Sequence, residues 1–224
     1  MVEPFSRRHL LVAATGLGVA GLGVAGCTPA QRKTSPFWST VTNNRPQKPD
    51  ADIRAYADAL PYASMLFWFD GQSRSLVVLG KDDPDDRRTW YTAEKQSIGT
   101  FGPFIVSAIG TEIELRQTIF GDGWSSDVRT LVGKSLSRQT MVAFRGDEST
   151  ATLRSTFHDA GLTTIDVLGT KTPARRIDES VIADGRVRMR NSYWIDPASG
   201  AWLKARQQVI PMMPPTNTLM LKRD

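Results

Sequence analysis

The only cysteine of this 224-residue chain, Cys27, is the residue whose chemistry is most readable. Val24-Ala25-Gly26 precede it in the form of a lipobox, in which the thiol takes a diacylglyceryl group and the cysteine becomes the mature N-terminus. Two or more acyl chains hold a protein stably on a bilayer, since each buried CH₂ contributes about 0.8 kcal/mol. Upstream, Arg7-Arg8 follow Ser6 and precede Leu10-Leu11, the pattern of a twin-arginine export signal. The Gly- and Ala-rich apolar stretch after them is too short to span a bilayer. Residues 1–26 are therefore expected to form a cleaved export signal, with the covalent lipid on Cys27. The alternative is an uncut signal anchor in which Cys27 is an ordinary thiol. Thr28, where an aspartate would resemble an inner-membrane retention signal, favours an outer-membrane lipoprotein facing the periplasm. Disulfides and Cys-ligated zinc then play no part in the fold.

Catalytic chemistry has far fewer candidates. His158 is the only histidine beyond Cys27, and in Leu153-Arg154-Ser155-Thr156-Phe157-His158 it alternates with apolar positions as a surface-facing strand residue would. No nucleophile elbow accompanies it. Asp122, Asp127, Asp166, Asp178 and Glu179 are the carboxylates open to a paired-acid glycosidase, and their spacing is ordinary. Asp82-Asp83-Pro84-Asp85-Asp86 lacks the ligand alternation of a calcium loop and reads as solvated acidic loop. Neither a Gly-rich phosphate loop nor a metal-ligand set is present, so no metal or cofactor is expected. The formal charge of +5 is a mild excess, short of the basic stripe of a nucleic-acid binder. The expected mode of action is binding without catalysis.

One hairpin suggests a binding surface. Across 186–196, Arg186, Arg188, Arg190, Ser192 and Trp194 share one face; on the returning strand Trp202, Lys204, Arg206 and Gln208 alternate with apolar residues. Pairing Ile195 with Ala201 gathers Trp194, Trp202 and the cations, Arg206 included, on one surface suited to acidic sugar rings. A four-residue loop pairs Asp196 with Ala201 instead and sends Trp202 to the opposite face. A simple solvated outer face is the plainer reading of the same pattern.

The elements that must position these residues are mostly strands. Residues 27–49 are rich in Pro, Ser, Thr, Asn, Lys and Arg and are expected to be a flexible tether, with Phe37-Trp38 as an apolar exception that docks on the domain or lies at the headgroups. A single β-rich periplasmic domain is expected over 50–224. A short helix is predicted over 52–60, closed by Pro61, and a second over 126–134. Strands are predicted at 64–69, 75–79, 89–93, 104–109, 112–119, 139–145, 151–158, 164–168, 174–183, 186–196, 202–210 and 216–222. Asp70-Gly71, Asp184-Gly185 and Pro197 to Gly200 supply turn chemistry. The fold class is mainly β: a twisted antiparallel sheet or a partly closed β-barrel with one or two short helices. Pro211, Pro214 and Pro215 suggest a sheet edge at the last run.

Several motifs together resemble a known family. They are Leu60-Pro61-Tyr62-Ala63-Ser64, the Gly161-Leu162 to Val167-Leu168-Gly169 segment, and Arg176-Ile177-Asp178-Glu179. Asn191-Ser192-Tyr193-Trp194-Ile195-Asp196-Pro197 follows, then Gly200 and Gln207 to Pro211. The chain is similar to the YjbF/GfcB family of group 4 capsule polysaccharide lipoproteins. That resemblance implies an outer-membrane lipoprotein in capsule or exopolysaccharide production and export, with no established catalytic residues. The resemblance does not say what the domain touches; the partners expected from the lipobox, the charge and the hairpin are the membrane through the lipid anchor, an acidic polysaccharide and outer-membrane export components, and no nucleic acid. The competing readings are a periplasmic carrier of a hydrophobic ligand in a half-open barrel, and a glycan-modifying enzyme.

Overall fold

The structure is a computed structural model that describes residues 48–110, 113–144, 146–211 and 213–223. Cys27, Arg7, Arg8 and Phe37-Trp38 lie outside the described residues. The chain begins with helix α1 (Asp50–Ala59) and continues into β1 (Ser64–Phe69), β2 (Ser75–Asp83), β3 (Arg87–Tyr91), β4 (Ser97–Phe101), β5 (Phe104–Ile109) and β6 (Ile113–Phe120). A single 3₁₀ turn, Val128–Leu131, precedes β7 (Ser135–Phe144), β8 (Asp147–Val167), β9 (Thr170–Ala183), β10 (Val187–Ile195), β11 (Trp202–Gln207) and β12 (Thr216–Lys222). Each strand pairs antiparallel with its sequence neighbours, and β12 pairs back onto β1. The result is a closed, twelve-stranded barrel.

Closure is written into the two strands that meet. In β1, Met65, Phe67 and Phe69 point into the barrel, whereas Leu66 and Trp68 point outward beneath α1. Both faces are covered, so the strand reads as a continuous apolar run and not as an alternation. Strand β12 is buried in the same way from Thr216 to Met220. Pairs such as Leu66↔Leu219 and Phe67↔Thr218 bring them together across the whole domain. The final run is therefore no edge: it has a partner on each side, and Pro211, Pro214 and Pro215 lie in the connection between β11 and β12.

Helix α1 lies on the outside of this seam. It buries Ile53 and Ala57, and Ile53 joins an apolar layer with Leu66, Leu203, Leu219, Ile165 and Val167 at the end of β8, and Leu168 in the β8–β9 turn. Arg54 Nη2 donates to the Val167 carbonyl at 2.8 Å, Arg74 pairs with Asp50 at 2.5 Å, and Lys222 Nζ donates to the Leu60 carbonyl. These contacts pin the helix at three points. The second predicted helix is reduced to the 3₁₀ turn. Asp127 Oδ1 accepts from the Arg129 backbone N–H, and one turn is enough to bury Val128 and Leu131 before Gly133 turns the chain at φ 78°.

The interior is a packed core. Trp90, Leu115, Tyr193, Ile177 and Ile195 are almost wholly buried, and Trp90 Nε1 donates to Thr100 Oγ1 at 3.0 Å. One end is filled by rings: Phe104 lies 5.1 Å from Tyr193, 5.2 Å from Trp124 and 6.3 Å from Phe157, in edge-to-face arrangements. Gln207 crosses the interior, its Oε1 accepting from the Ile105 N–H at 3.3 Å and its Nε2 donating to the Pro103 carbonyl at 2.7 Å. Among the described residues the closed barrel is lined inside by these packed side chains. No helix among the described residues is long and apolar enough to cross a membrane.

Candidate functional site

Strands β7 to β10 hold the chemistry, on opposite faces. Inside the barrel, the alternation that buries Ile177, Val181 and Ala183 on β9 also buries Glu179. On β7 the same alternation buries Arg138. The two meet with Arg138 Nη1 2.5 Å from Glu179 Oε1. Ser155 Oγ donates to the same oxygen at 2.5 Å, while Asn191 Nδ2 and the Tyr193 hydroxyl donate to Oε2 at 2.7 and 2.6 Å. Arg138 also stacks over Trp124, its guanidinium carbon 5.0 Å from the ring centroid.

Burial alone would raise the Glu179 carboxyl, but the Arg138 charge and the donors from Arg138, Ser155 and Tyr193 outweigh it and hold it below its ordinary value. Tyr193 is pushed well above the ordinary phenol value, first by burial and then by the Glu179 charge. The carboxylate is thus ionised and saturated with donors, which suits a structural pair and not a general acid. The other candidate carboxylates share no cleft with it. Asp178 faces outward and pairs with Arg176 at 2.7 Å, Asp127 caps the 3₁₀ turn, Asp166 pairs with Lys171 at 3.1 Å, and Asp122 stands exposed in the β6–β7 connection. His158 is exposed opposite Asp178. Among the described residues no cluster of His, Cys, Asp or Glu is placed to hold a metal.

Outside the barrel the same strands are cationic. Register places Arg154 of β8 and Arg188 of β10 on either side of Ile182 of β9, and Arg190 beside Ser180 and Thr156 in the next row. Neighbouring strands lie about 4.8 Å apart, so Arg154 and Arg188 are about 10 Å apart at their Cα atoms, and Arg188 and Arg190 about 7 Å apart along one strand. Arg186 stands beside them in the hairpin turn, where Asp184 and Gly185 take φ 47° and 70°, the geometry of a type I′ turn. All four arginines are exposed, and none forms an ion pair among the described residues. Thr152, Thr156, His158 and Asp178 share this largely polar face.

The structure corrects three members of the predicted binding face. Trp202 points into the barrel: Ile195 pairs with Trp202 instead of with Ala201, while the Asp196 N–H bonds the Ala201 carbonyl at 2.8 Å. A bulge between Trp194 and Ile195 then returns Lys204 and Arg206 to the outer face. Arg206 is outward but engaged by Asp70. Trp194 is outward and half-buried in the apolar layer, and its cation is Lys204, 5.1 Å from the ring centroid, not an arginine. Burial lowers the Lys204 ammonium and Asp166 partly opposes that shift. Arg186, Arg188 and Arg190 remain on the outer face, and Arg154 joins them.

Sequence reasoning names Glu179 only as an ordinary carboxylate and does not single out Arg154 or Arg138, though each left a signal. Arg154 shares parity with exposed His158, and Arg138 and Glu179 are opposite charges at inward positions of otherwise apolar alternations.

Known proteins agree with the architecture. A solved structure of the hypothetical lipoprotein YmcC from Escherichia coli K12 superposes with a TM-score of 0.68 and 24 % identity, covering 80 % of this chain and 90 % of that one. The uncharacterized lipoprotein GfcB of Escherichia coli K12 is 25 % identical over 212 residues, 92 % of this chain and 96 % of GfcB. The uncharacterized lipoprotein YjbF of the same organism is 29 % identical over 140 residues, 61 % of this chain and 65 % of YjbF. The model of the family described as group 4 capsule polysaccharide lipoprotein gfcB, YjbF matches residues 38–221. The chain belongs to this family of capsule-associated lipoproteins of the cell envelope.

Proposed function

We propose that this protein is a non-catalytic accessory of capsule or exopolysaccharide production and export, anchored to the outer membrane through lipid on Cys27 and holding an acidic polymer on the outer face of β8–β10. The observation that carries the reading is the set of four exposed, unpaired arginines, Arg154, Arg186, Arg188 and Arg190, on one sheet face. A guanidinium presents a planar fork that matches a carboxylate in two parallel hydrogen bonds, so a row of them suits a polymer carrying uronic or other acidic sugars. Exposed cations about 7–10 Å apart repel one another weakly, and an anion lying between them relieves that repulsion. The lipobox and the export signal at Arg7-Arg8 support a periplasmic position for this face, from which outer-membrane export components would be within reach.

Two results test the reading. The Cys27→Ser chain should be retarded in a gel containing an acidic polysaccharide and not in one containing neutral dextran. The retardation should vanish at about 1 M salt, where the screening length falls to about 3 Å. Deleting the gene should lower secreted or surface-attached polysaccharide; unchanged output, or equal retention by dextran, rejects the proposal.

A further inference from the structure

A groove of about 490 Å³ runs between α1 and the outer faces of β1–β3. Its floor is apolar, with Ile53, Leu66 and Leu76, and its walls carry Tyr56, Tyr62 and Tyr91. The three tyrosines are 55 %, 57 % and 43 % exposed, an unusual concentration of open rings on a barrel whose other aromatics are mostly packed inside. Gly80 helps to set this wall. It sits at the irregularity in β2–β3 pairing, and a Cβ there would fall 2.3 Å from the Tyr91 ring, so only glycine lets that ring lie across β2. Lys48, where the described chain begins, is on the rim, its Nζ 5.5 Å from the Tyr56 ring centroid.

We infer that this groove is the seat of the chain's own Phe37-Trp38. Three observations select that occupant. The chain arrives at the groove itself, because Lys48 lines it, and residues 39–47 span at most about 32 Å when extended, so reach is no obstacle. Phe37 and Trp38 are the only aromatic residues between Cys27 and Lys48, in a stretch otherwise dominated by Pro, Ser, Thr, Asn, Lys and Arg. The family match begins at residue 38, inside this stretch and well ahead of α1. Open tyrosine edges and faces above an aliphatic floor suit two incoming rings, which prefer offset or edge-to-face contacts.

Tethering makes even a weak contact effective. A short flexible linker presents its end at an effective concentration in the millimolar range, enough to fill a site of modest intrinsic affinity. The inference does not depend on the polymer reading of the arginine face.

The test uses the full lipidated chain in envelope membranes, with the single change Trp38→p-benzoyl-L-phenylalanine, which keeps an aromatic side chain and adds a photoreactive ketone. Irradiation should give a monomer-sized product whose adducts lie on groove residues such as Tyr62, Leu76 or Tyr91. Adding Tyr91→Ala should lower that yield by roughly threefold or more, the loss expected of one aromatic contact. Independently, Trp38→Ala, which leaves the barrel sequence untouched, should speed hydrogen exchange in Asp50–Ala59 and Ser75–Asp83. Adducts confined to lipid, to polysaccharide, to another protein, to a second copy in a dimer-sized product, or to barrel residues outside the groove overturn the inference, as does exchange that Trp38→Ala leaves unchanged.

Discussion

Replacing Glu179 by glutamine should be among the most damaging conservative changes in this barrel. The carboxylate is fully buried and accepts from Arg138, Ser155, Asn191 and Tyr193 within 2.5–2.7 Å. Glu179→Gln keeps the shape, removes the charge that Arg138 needs, and turns an amide N–H₂ toward groups that are themselves donors. Removing one partner of a buried pair costs about 3–5 kcal/mol, because the other charge stays behind uncompensated. Against a total stability of about 5–15 kcal/mol, that is a third or more of the whole. For a domain of this size each kcal/mol moves Tm by about 2–4 °C, so a fall of about 6–20 °C is expected. Urea unfolding of the Cys27→Ser chain, followed by circular dichroism, should show the same loss with the slope unchanged. The double variant Arg138→Met with Glu179→Leu removes both charges and should be less harmful than the sum of its singles by about 2 kcal/mol, within the usual range for coupled neighbours. A Glu179→Gln Tm within about 2 °C of the parent, or strict additivity in the cycle, refutes the buried ionised pair.

Other consequences follow from the same contacts. Glu179 has its folded value lowered, so its contribution is present above the unfolded value of 4.5 and is lost as pH falls through the folded one. Tyr193 has its folded value raised, so its contribution is present below the unfolded value of 10.0 and is lost as pH climbs from there through the folded one. A plot of Tm against pH should therefore be flat between these limits and fall outside both, and Tyr193→Phe should remove most of the alkaline fall; no change in that limb counts against the assignment. Gln207→Leu leaves the buried Ile105 N–H and Pro103 carbonyl without their partner at about 1–3 kcal/mol each, and the Ile105 amide should exchange markedly faster. Cys27→Ser should abolish acyl labelling and free the domain from the membrane fraction; labelling that persists contradicts the lipid anchor.

Strands bounded by turn chemistry were legible from sequence: the predicted 64–69, 104–109 and 216–222 coincide with β1, β5 and β12. The 52–60 helix is observed as Asp50–Ala59, since its apolar face and Pro61 mark both ends. Local signals misled where a glycine was absorbed and not obeyed. Gly161, at φ 87°, marks a bulge held by Asp159 Oδ1, and the chain runs on as one long strand where two were predicted. The strand Ser97–Phe101 was missed because Gly99 and short, polar-flanked composition hide it; Gly99 is there because a Cβ would fall 2.2 Å from Ser107 Oγ. Complete closure was beyond local reading, because β1–β12 pairing joins the two ends of the domain. The outer face proposed for binding was half legible: alternation puts Arg186, Arg188 and Arg190 on the exposed side, but a one-residue difference in hairpin register decides whether Trp202 is outside or in.

The most direct test of the account is the binding of acidic polysaccharide by the chain carrying Arg154→Ala, Arg188→Ala and Arg190→Ala together. These positions are exposed and unpaired, so folding should be intact, with the circular dichroism spectrum and Tm of the parent. Affinity electrophoresis at low salt should then show retardation by the acidic polymer lost, with little salt dependence remaining, while the parent is strongly retarded and releases as salt rises. Retardation of the folded triple variant equal to that of the parent, with the same salt response, contradicts the claim that this face holds the polymer.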